Sequence, residues 1–486
     1  MNKPQTIEGR WWIHGNNEPP HFGSLAFDPE KGLELSITIL PNRDGESIAW
    51  ILSDSDVKVA HVIHGTDQSN QPVSLFGCSV VHRSKSLGLD RYLVTVQVAI
   101  RNFRADSWEN AQFSAVGIRY TLLDQWMNRE LMEKHSEKTN PSSFTLCHYD
   151  VLEFEVADGV RAKIQAEHPM SFAHNESNFR LEHTVYFIFN GPVQTRTILD
   201  EHVMPFRHLL ALLTGEQIFV AEITVFNRDP FTSGGNEHFQ SSELLHANRG
   251  IMEAKSDVHC MHMVTNYQEV SADFGAMVKL WFQCHQRLAP VLDLYFGVLS
   301  DWVLPEHSQF LFVAQALESY HARNAANDSS KQQRNKDFRV RVDRILSVAN
   351  IEADDRTWLE EKLRSSNYTT LAERITDILK LHPAEAASLT SAIPEFAAKV
   401  KNTRNYYTHY TEELLTKGKV ATGLELRRIL FALRDLLQIC LLKELGIKGK
   451  PIERIVKNNA LVEWGDLRIP SLQATSVAPP PVDESV

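Results

Sequence analysis

The spacing of apolar residues changes once along this chain, and that change limits what it can fold into. Up to about residue 195 apolar and polar residues alternate, most cleanly in Leu33-Glu34-Leu35-Ser36-Ile37-Thr38-Ile39. A period of two puts one set of side chains on one face of a strand. After about residue 268 the spacing becomes three and four, as in Phe310, Val313, Ala314 and Leu317, which makes a single buried stripe on a helix. The chain has 486 residues, and a single core stops growing at roughly 250 to 300 residues. The expected fold is therefore multidomain α+β. A β-rich sandwich or barrel-like domain is expected over 1–195, a mixed α/β segment over 196–300, an all-α bundle over 301–462 and a flexible tail over 463–486.

Local signals fill in these regions. Strands are predicted at Leu33 to Ile39, Val57 to Ile63, Tyr92 to Ile100, Phe113 to Tyr120, Val151 to Val156 and Leu181 to Phe189, separated by Gly, Asn, Asp and Pro clusters. The middle segment predicts a helix near Leu199 to Leu213, a strand near Ile218 to Phe226 and a polar loop around Thr232 to Asn236. Further on, Thr370-Leu371-Ala372-Glu373 has capping-box spacing, with Ile375, Ile378 and Leu379 following on one face. The longest periodic run, Leu424 to Leu445, turns Ile429, Leu430, Leu433, Leu437, Cys440 and Leu441 inward, and Gly446 is placed to end it in the left-handed conformation. The Pro-rich end around Ala478-Pro479-Pro480-Pro481 carries too little apolar material to offset its ordering entropy.

Charge is distributed unevenly. The net charge is -11, yet residues 331 to 460 hold 24 Lys+Arg against 17 Asp+Glu, a net of +7, which leaves 26 against 44, a net of -18, elsewhere. A basic helical region can neutralise phosphates even in an acidic chain. The five cysteines form no C-x-x-C pair, so neither a disulfide framework nor a zinc ribbon is expected. No apolar run reaches the roughly 20 residues of a membrane helix, and the first residues lack the apolar core of a signal peptide. The expectation is a cytoplasmic protein without a membrane partner.

One segment concentrates chemistry. Lys399-Val400-Lys401-Asn402-Thr403-Arg404-Asn405-Tyr406-Tyr407-Thr408-His409-Tyr410 holds a permanently charged phosphate binder and a proton carrier within six residues. On a helix, Asn405 and His409 share a face, so the amide can hydrogen-bond one imidazole nitrogen. A helix start near Asn402 or Thr403 would add a positive helix end for a phosphate. Metal-free RNA cleavage needs a base for the 2'-hydroxyl, an acid for the leaving oxygen and positive charge on the phosphorus centre. Histidine serves either proton role and arginine grips phosphate oxygens with two parallel donors. One segment supplies one histidine, so a symmetric dimer would complete the set. The bland alternative is that His409 only caps or packs.

Other constellations carry weaker signals. His259-Cys260-Met261-His262 with Cys284-His285 offers soft ligands, but no standard zinc spacing, and buried thiols with surface imidazoles explain the same residues. No metal and no cofactor are expected. Trp11-Trp12 reads as one ring in the core and the other partly exposed. Gly234-Gly235 and Gly446-Ile447-Lys448-Gly449-Lys450 match no phosphate-loop pattern, and H-E-x-x-H and G-x-S-x-G are absent. Tyr406, Tyr407 and Tyr410 are equally suited to stacking on unpaired bases and to packing.

The segment from Arg404 to His409 resembles the R-N-x-x-x-H form of the signature of HEPN ribonucleases. Gly9-Arg10-Trp11-Trp12, Gly23-Ser24-Leu25-Ala26-Phe27-Asp28 and Gly32-Leu33-Glu34-Leu35 are similar to the N-terminal domain of ApeA-type defence proteins. Gln315-Ala316-Leu317-Glu318-Ser319-Tyr320-His321 resembles the opening of the ApeA-type HEPN domain. The resemblance implies a C-terminal all-α HEPN bundle acting as a metal-independent endoribonuclease, with a composite site across a homodimer or higher homo-oligomer. It also implies an N-terminal domain that senses a phage-derived trigger, and cleavage of RNA, with transfer RNA as the family-based expectation. Carried onto this chain, Arg404, Asn405 and His409 are catalytic, and Lys401, Tyr406, Tyr410 and Glu318 bind substrate. The alternative is a non-catalytic RNA-binding or scaffolding HEPN protein.

Overall fold

A computed structural model describes residues 4–13, 20–29, 31–39, 59–86, 89–135, 143–173, 176–232, 240–246, 258–300, 304–324, 328–348, 352–365, 368–410 and 412–463. The chain separates into two compact units, one of Met1–Leu304 with Leu442–Ile447 and one of Pro305–Leu441 with Lys448–Val486.

The first unit begins with a barrel. Its strands are β1 (Gln5–Ile13), β2 (His21–Asp28), β3 (Gly32–Ile39), β4 (Val59–Asp67), β5 (Pro72–Ser86) and β6 (Leu89–Val96). All pairings are antiparallel. β1 lies between β2 and β4, β3 joins β2 to β6, and β5 pairs with both β4 and β6, which closes the ring. Closure removes the unpaired strand edges that invite aggregation. Inward positions of each strand fill the interior, with Leu25, Leu35, Val73 and Leu75 fully buried around Trp11. The Trp11 indole donates to the Gly23 carbonyl at 3.1 Å. A Cβ on Gly65 would stand 2.3 Å from the same ring, so glycine is required where the indole crosses β4. Trp12 takes the opposite face, half-buried, with the Arg104 guanidinium 5.2 Å from its ring centre.

β5 outlasts the barrel. Val73–Phe76 pair with β7 (Val98–Arg101), whereas Ser79 onward pair with β6. The change of partner falls at Gly77, which has φ 64°, and a Cβ there would lie 2.6 Å from the Gln97 side chain. The single strand predicted over Tyr92 to Ile100 is therefore two, broken at Gln97 where its neighbour bends away. From β7 the sheet continues through β17, β16, β8, β15 and β12 to β11, giving thirteen strands among the described residues. These are β8 (Gln112–Tyr120), β11 (Leu152–Ala157), β12 (Val160–Glu167), β15 (Glu182–Gln194), β16 (Val220–Phe226) and β17 (Ser241–His246). The segment read as mixed α/β thus contributes β16 and β17 to this sheet. Two separate hairpins are β9 (Met132–His135) with β10 (Ser143–Leu146), and β13 (Met170–Ala173) with β14 (Glu176–Phe179).

Helices of this unit are α1 (Leu123–Met127), α2 (Thr195–Ile198), α3 (Met204–Thr214), α4 (Tyr267–Val270) and α5 (Phe274–Ser300). A π-helical turn, Leu199–Val203, joins α2 to α3, so the predicted helix from Leu199 starts with one wide turn. Two polar groups that enter the core are paired: Tyr120 donates to the Val203 carbonyl at 2.9 Å, and the Trp281 indole to that of Pro205 at 2.8 Å.

The second unit is helical. It comprises α6 (Glu306–Arg323), α7 (Asp328–Val348), α8 (Ala353–Ser365), α9 (Leu371–Leu381), α10 (Pro383–Thr390), α11 (Phe396–His409), α12 (Glu412–Thr416), α13 (Gly423–Glu444) and α14 (Lys450–Glu463). The stripe Phe310, Val313, Ala314 and Leu317 on α6 is buried, as its spacing predicts. α9 opens with the capping box, Thr370 and Glu373 exchanging side-chain to backbone bonds at 3.3 and 2.7 Å. Every inward residue predicted on the α13 run is buried, and Gly446 follows it with φ 79°. The expected tail beyond residue 463, and all but the first residue of the loop expected over 232–236, lie outside the described residues.

Three imidazoles in the first unit make its stability depend on pH. His202 lies between Phe187, Phe189 and Phe282, while His208 Nδ1 stands 3.3 Å from His285 Nε2 and stacks on Phe296. Burial lowers His202 to about 4, His208 to about 3 and His285 to about 4, with the neighbouring His285 and Arg207 adding to the effect on His208. In the unfolded chain an imidazole returns to about 6.5 and takes up a proton first as pH falls, so the stabilisation is complete above that value and is lost below it. Between about pH 7.5 and 5.5 each imidazole is expected to cost about 1 kcal/mol of stability. The thermal midpoint should fall over that range, and His202→Leu should flatten the slope; a slope unchanged by this substitution would contradict the assignment.

Candidate functional site

α11 owes its position to three buried side chains, Phe396, Val400 and Thr403, which form one stripe at helical spacing. The stripe begins well before the candidate segment, and so does the helix, which starts after Glu395 in the left-handed conformation. Asn402 and Thr403, read as helix caps, are interior residues instead. Thr403 was misread because a threonine that caps and one that bonds across a core carry the same hydroxyl. Here its Oγ1 accepts the Ala421 N–H at 2.9 Å, fully buried. Arg404, Asn405 and His409 consequently occupy the last turns of the helix, which ends at Tyr410 with φ 51°. No helix N-terminus is presented by this segment. The negative end of the helix dipole favours cations here, and any phosphate has to be held by side chains.

Around Arg404 the side chains form a polar chain. Its Nη1 donates to Asn405 Oδ1 at 3.4 Å, and its Nη2 lies 3.8 Å from Glu318 Oε2 on α6. Glu318 also faces Arg374 of α9, with Nε at 3.6 Å, and Arg374 donates to the backbone carbonyls of Glu318 and Thr369. One carboxylate therefore stands between two guanidiniums, each leaning on a different helix. The Asn405 to His409 hydrogen bond expected from their spacing is not formed among the described residues, because the amide oxygen faces Arg404. His409 is exposed, with no partner among the described residues, and Lys401 is half-buried on the same helix.

The tyrosines divide. Tyr407 stacks on His307 with ring centres 5.4 Å apart, and its phenol is raised above the usual range by burial, then by Tyr406, Tyr410 and Glu306. Tyr406 meets both Tyr407 and Tyr410 edge-on, and Tyr410 is 58% exposed. Packing thus accounts for Tyr407, and the most accessible ring is that of Tyr410. Sequence reasoning missed His307, Glu306 and Arg374. His307 had a readable signal: it is eleven residues before Glu318, three helical turns, and so on the same face of α6. Glu306 pairs with Arg427 of α13, and Arg374 has meaning only through contacts distant in sequence.

The sulfur and imidazole groups suggested for zinc do not gather. His259 and His262 have ring centres 6.4 Å apart, Cys260 lies 3.8 Å from His259, and His285 pairs with His208. No group of three or more metal-ligating side chains is present among the described residues. No helix among them is long and apolar enough to cross a membrane.

A family model for the ApeA N-terminal domain 1 matches residues 6–281, and one for the Apea-like HEPN domain matches residues 311–450. The chain belongs to the ApeA family. The barrel with Trp11 lies in the first match, and α11 with Arg404, Asn405 and His409 lies in the second. This pairing of domains is that of an anti-phage defence protein with a nuclease-type HEPN domain. No curated protein and no solved structure matches the chain.

The ApeA-type HEPN unit depends on Thr403 to hold the candidate helix against the loop that follows it. Thr403→Val keeps the shape but leaves the buried Ala421 N–H unpaired, at an expected cost of about 1 to 3 kcal/mol. Thr403→Ser should retain most of the stability, as read from chemical denaturation; equal stability of the valine and wild-type chains would show that the bond carries no weight.

Proposed function

We propose that the HEPN unit is a metal-independent endoribonuclease, with Arg404, Asn405 and His409 at its centre, and that the protein acts in abortive infection. The observation that carries this reading is the placement of an accessible imidazole about a turn and a half beyond a guanidinium that itself faces Asn405 and Glu318. A guanidinium whose Nη atoms already face oxygen acceptors can exchange a carboxylate for a phosphodiester with little reorganisation, since both present paired oxygens. The imidazole is free to take or give a proton. Glu318 sets the resting position of Arg404, while Lys401, Tyr406 and Tyr410 add a charge and aromatic faces for an unpaired strand.

Cleavage by 2'-hydroxyl attack requires a base and an acid, and one chain places one histidine at this helix. A two-fold homodimer bringing two α11 ends together supplies both, and higher assemblies of such dimers satisfy the same need. RNA, with transfer RNA as the family-based choice, is the substrate in this reading. A phage-derived trigger acting on the N-terminal domain in the cytoplasm releases the activity. The Glu318 carboxylate beside Arg404 favours a second reading, in which the arginine only holds RNA and nothing is cut.

Triggered full-length protein incubated with total RNA and EDTA separates the two. Cleavage leaving 2',3'-cyclic ends is expected, with Arg404→Ala and His409→Ala each reducing it on the order of 100-fold or more and abolishing growth arrest. RNA that stays intact but shifts on a gel would instead favour the binding protein, and cutting that persists in both variants would remove these residues from the active site.

A further inference from the structure

The N-terminal unit carries an open cleft of about 600 Å³ for which the nuclease reading has no use. Its position follows from local structure. α1 ends at Asn128 in the left-handed conformation, which turns Arg129 out of the helix. The β9–β10 hairpin, with Glu133 opposite Thr145, forms one wall. Tyr149 donates to the Glu130 carbonyl at 2.9 Å and fixes the loop after the hairpin. On another side stands the start of α4, held by its Asn266–Glu269 capping box and by Gln268, whose amide donates to the carbonyls of Met127 and Asn128.

Arg129 is the unusual member of this lining. Its guanidinium lies 4.5 Å from the ring centre of Tyr149 and 5.6 Å from that of Tyr267. Aromatic faces satisfy the flat sides of a guanidinium and leave its N–H donors pointing outward in the plane. Nη1 is shielded from solvent and has no hydrogen-bond acceptor among the described residues. No ion pair to Arg129 forms among them either, and Asp150 acts on it only as a more distant charge. Burial accordingly lowers its pKa, the two tyrosines and Asp150 opposing the effect. A half-buried cation with one shielded, unpaired nitrogen gains from an anion that supplies the missing acceptor.

We propose that this cavity binds a small phosphate-bearing molecule of mononucleotide size, its phosphate on Arg129 and its hydroxyl or amino groups on the carboxylates of Glu130 and Glu133. The volume lies within the range of sites for small organic ligands. A guanidinium set in one plane matches the paired oxygens of a phosphate. The two glutamates that line the same cavity repel additional negative charge, so a single phosphate is favoured over a triphosphate or a nucleic-acid backbone. Acceptor carboxylates in the same lining also select ligands that carry donors, as a ribose and most bases do. This inference stands apart from the nuclease reading, because nothing in it involves α11.

Isothermal titration of the full-length protein with AMP, GMP, CMP and UMP, and with inorganic phosphate, the parent nucleosides and the corresponding triphosphates, tests it. At least one monophosphate should bind more tightly than its nucleoside, its triphosphate and phosphate alone. Arg129→Gln should weaken that binding by about tenfold or more. Because Arg129 also packs, the exposed Glu133→Gln is measured beside it, and should weaken the monophosphate while leaving or strengthening inorganic phosphate. Absence of binding by all four monophosphates at millimolar concentration would overturn the proposal, as would affinities unchanged in both variants.

Discussion

One strand has to serve two neighbours in turn, and the N-terminal unit is organised around that requirement. β5 completes the barrel through β4 and β6, and it also passes the sheet on to β7. Both are possible because Gly77 adopts φ 64° and carries no Cβ, so the Gln97 side chain fills the place where the partners change. With a side chain at this position, β6 and β7 would be pushed to compete for one register. Since β17, β16 and β8 follow from β7 by pairing, the layers that receive α3 and α5 are built on this junction.

In the helical unit the comparable constraint is where α11 stops. Arg404 and His409 stand where the helix ends, with Tyr410 turning the chain away, and the proposed chemistry rests on that placement. Thr403 keeps that end in place by a bond to the next loop rather than by capping its own helix. The negative helix end gives a cationic site a favourable background field. It also leaves the recognition of an anion wholly to side chains, which is why the Glu318–Arg374 pair matters: it sets the direction from which Arg404 approaches.

Much of this was legible where the physical cause is local. The alternation of Leu33 to Ile39, the capping box at Thr370 and the stripe on α6 each depend on residues within a turn or two, and each is present as read. Family resemblance reached further, pairing Glu318 with the motif although nothing in its own neighbourhood distinguishes it from a surface glutamate. What was not legible depends on contacts between distant residues. The break at Gln97 is decided by Gly77 across the sheet, Arg374 reaches the site only through the packing of α9 on α6, and the start of α11 was hidden because Thr403 has a buried partner eighteen residues later. The five cysteines, in contrast, could be placed from composition alone, since all are free and four are buried.

Arg404 and Arg129 show how the same side chain is prepared for different work. Arg404 is 41% exposed and already faces a carboxylate, so an incoming phosphate exchanges one anion for another and meets little desolvation cost. Such a site binds weakly at rest and can release what it holds, as the proposed cleavage of RNA requires. Arg129 has aromatic rings in place of a counter-ion and a shielded Nη1 without an acceptor among the described residues. Occupancy there replaces an unmet need instead of an existing partner, and the gain is larger because less water intervenes. A cation kept in this state destabilises the empty unit slightly, so a bound anion raises the stability of the surrounding hairpin and α4 by mass action. In the proposed site this coupling makes the stability of the N-terminal unit responsive to a small anion.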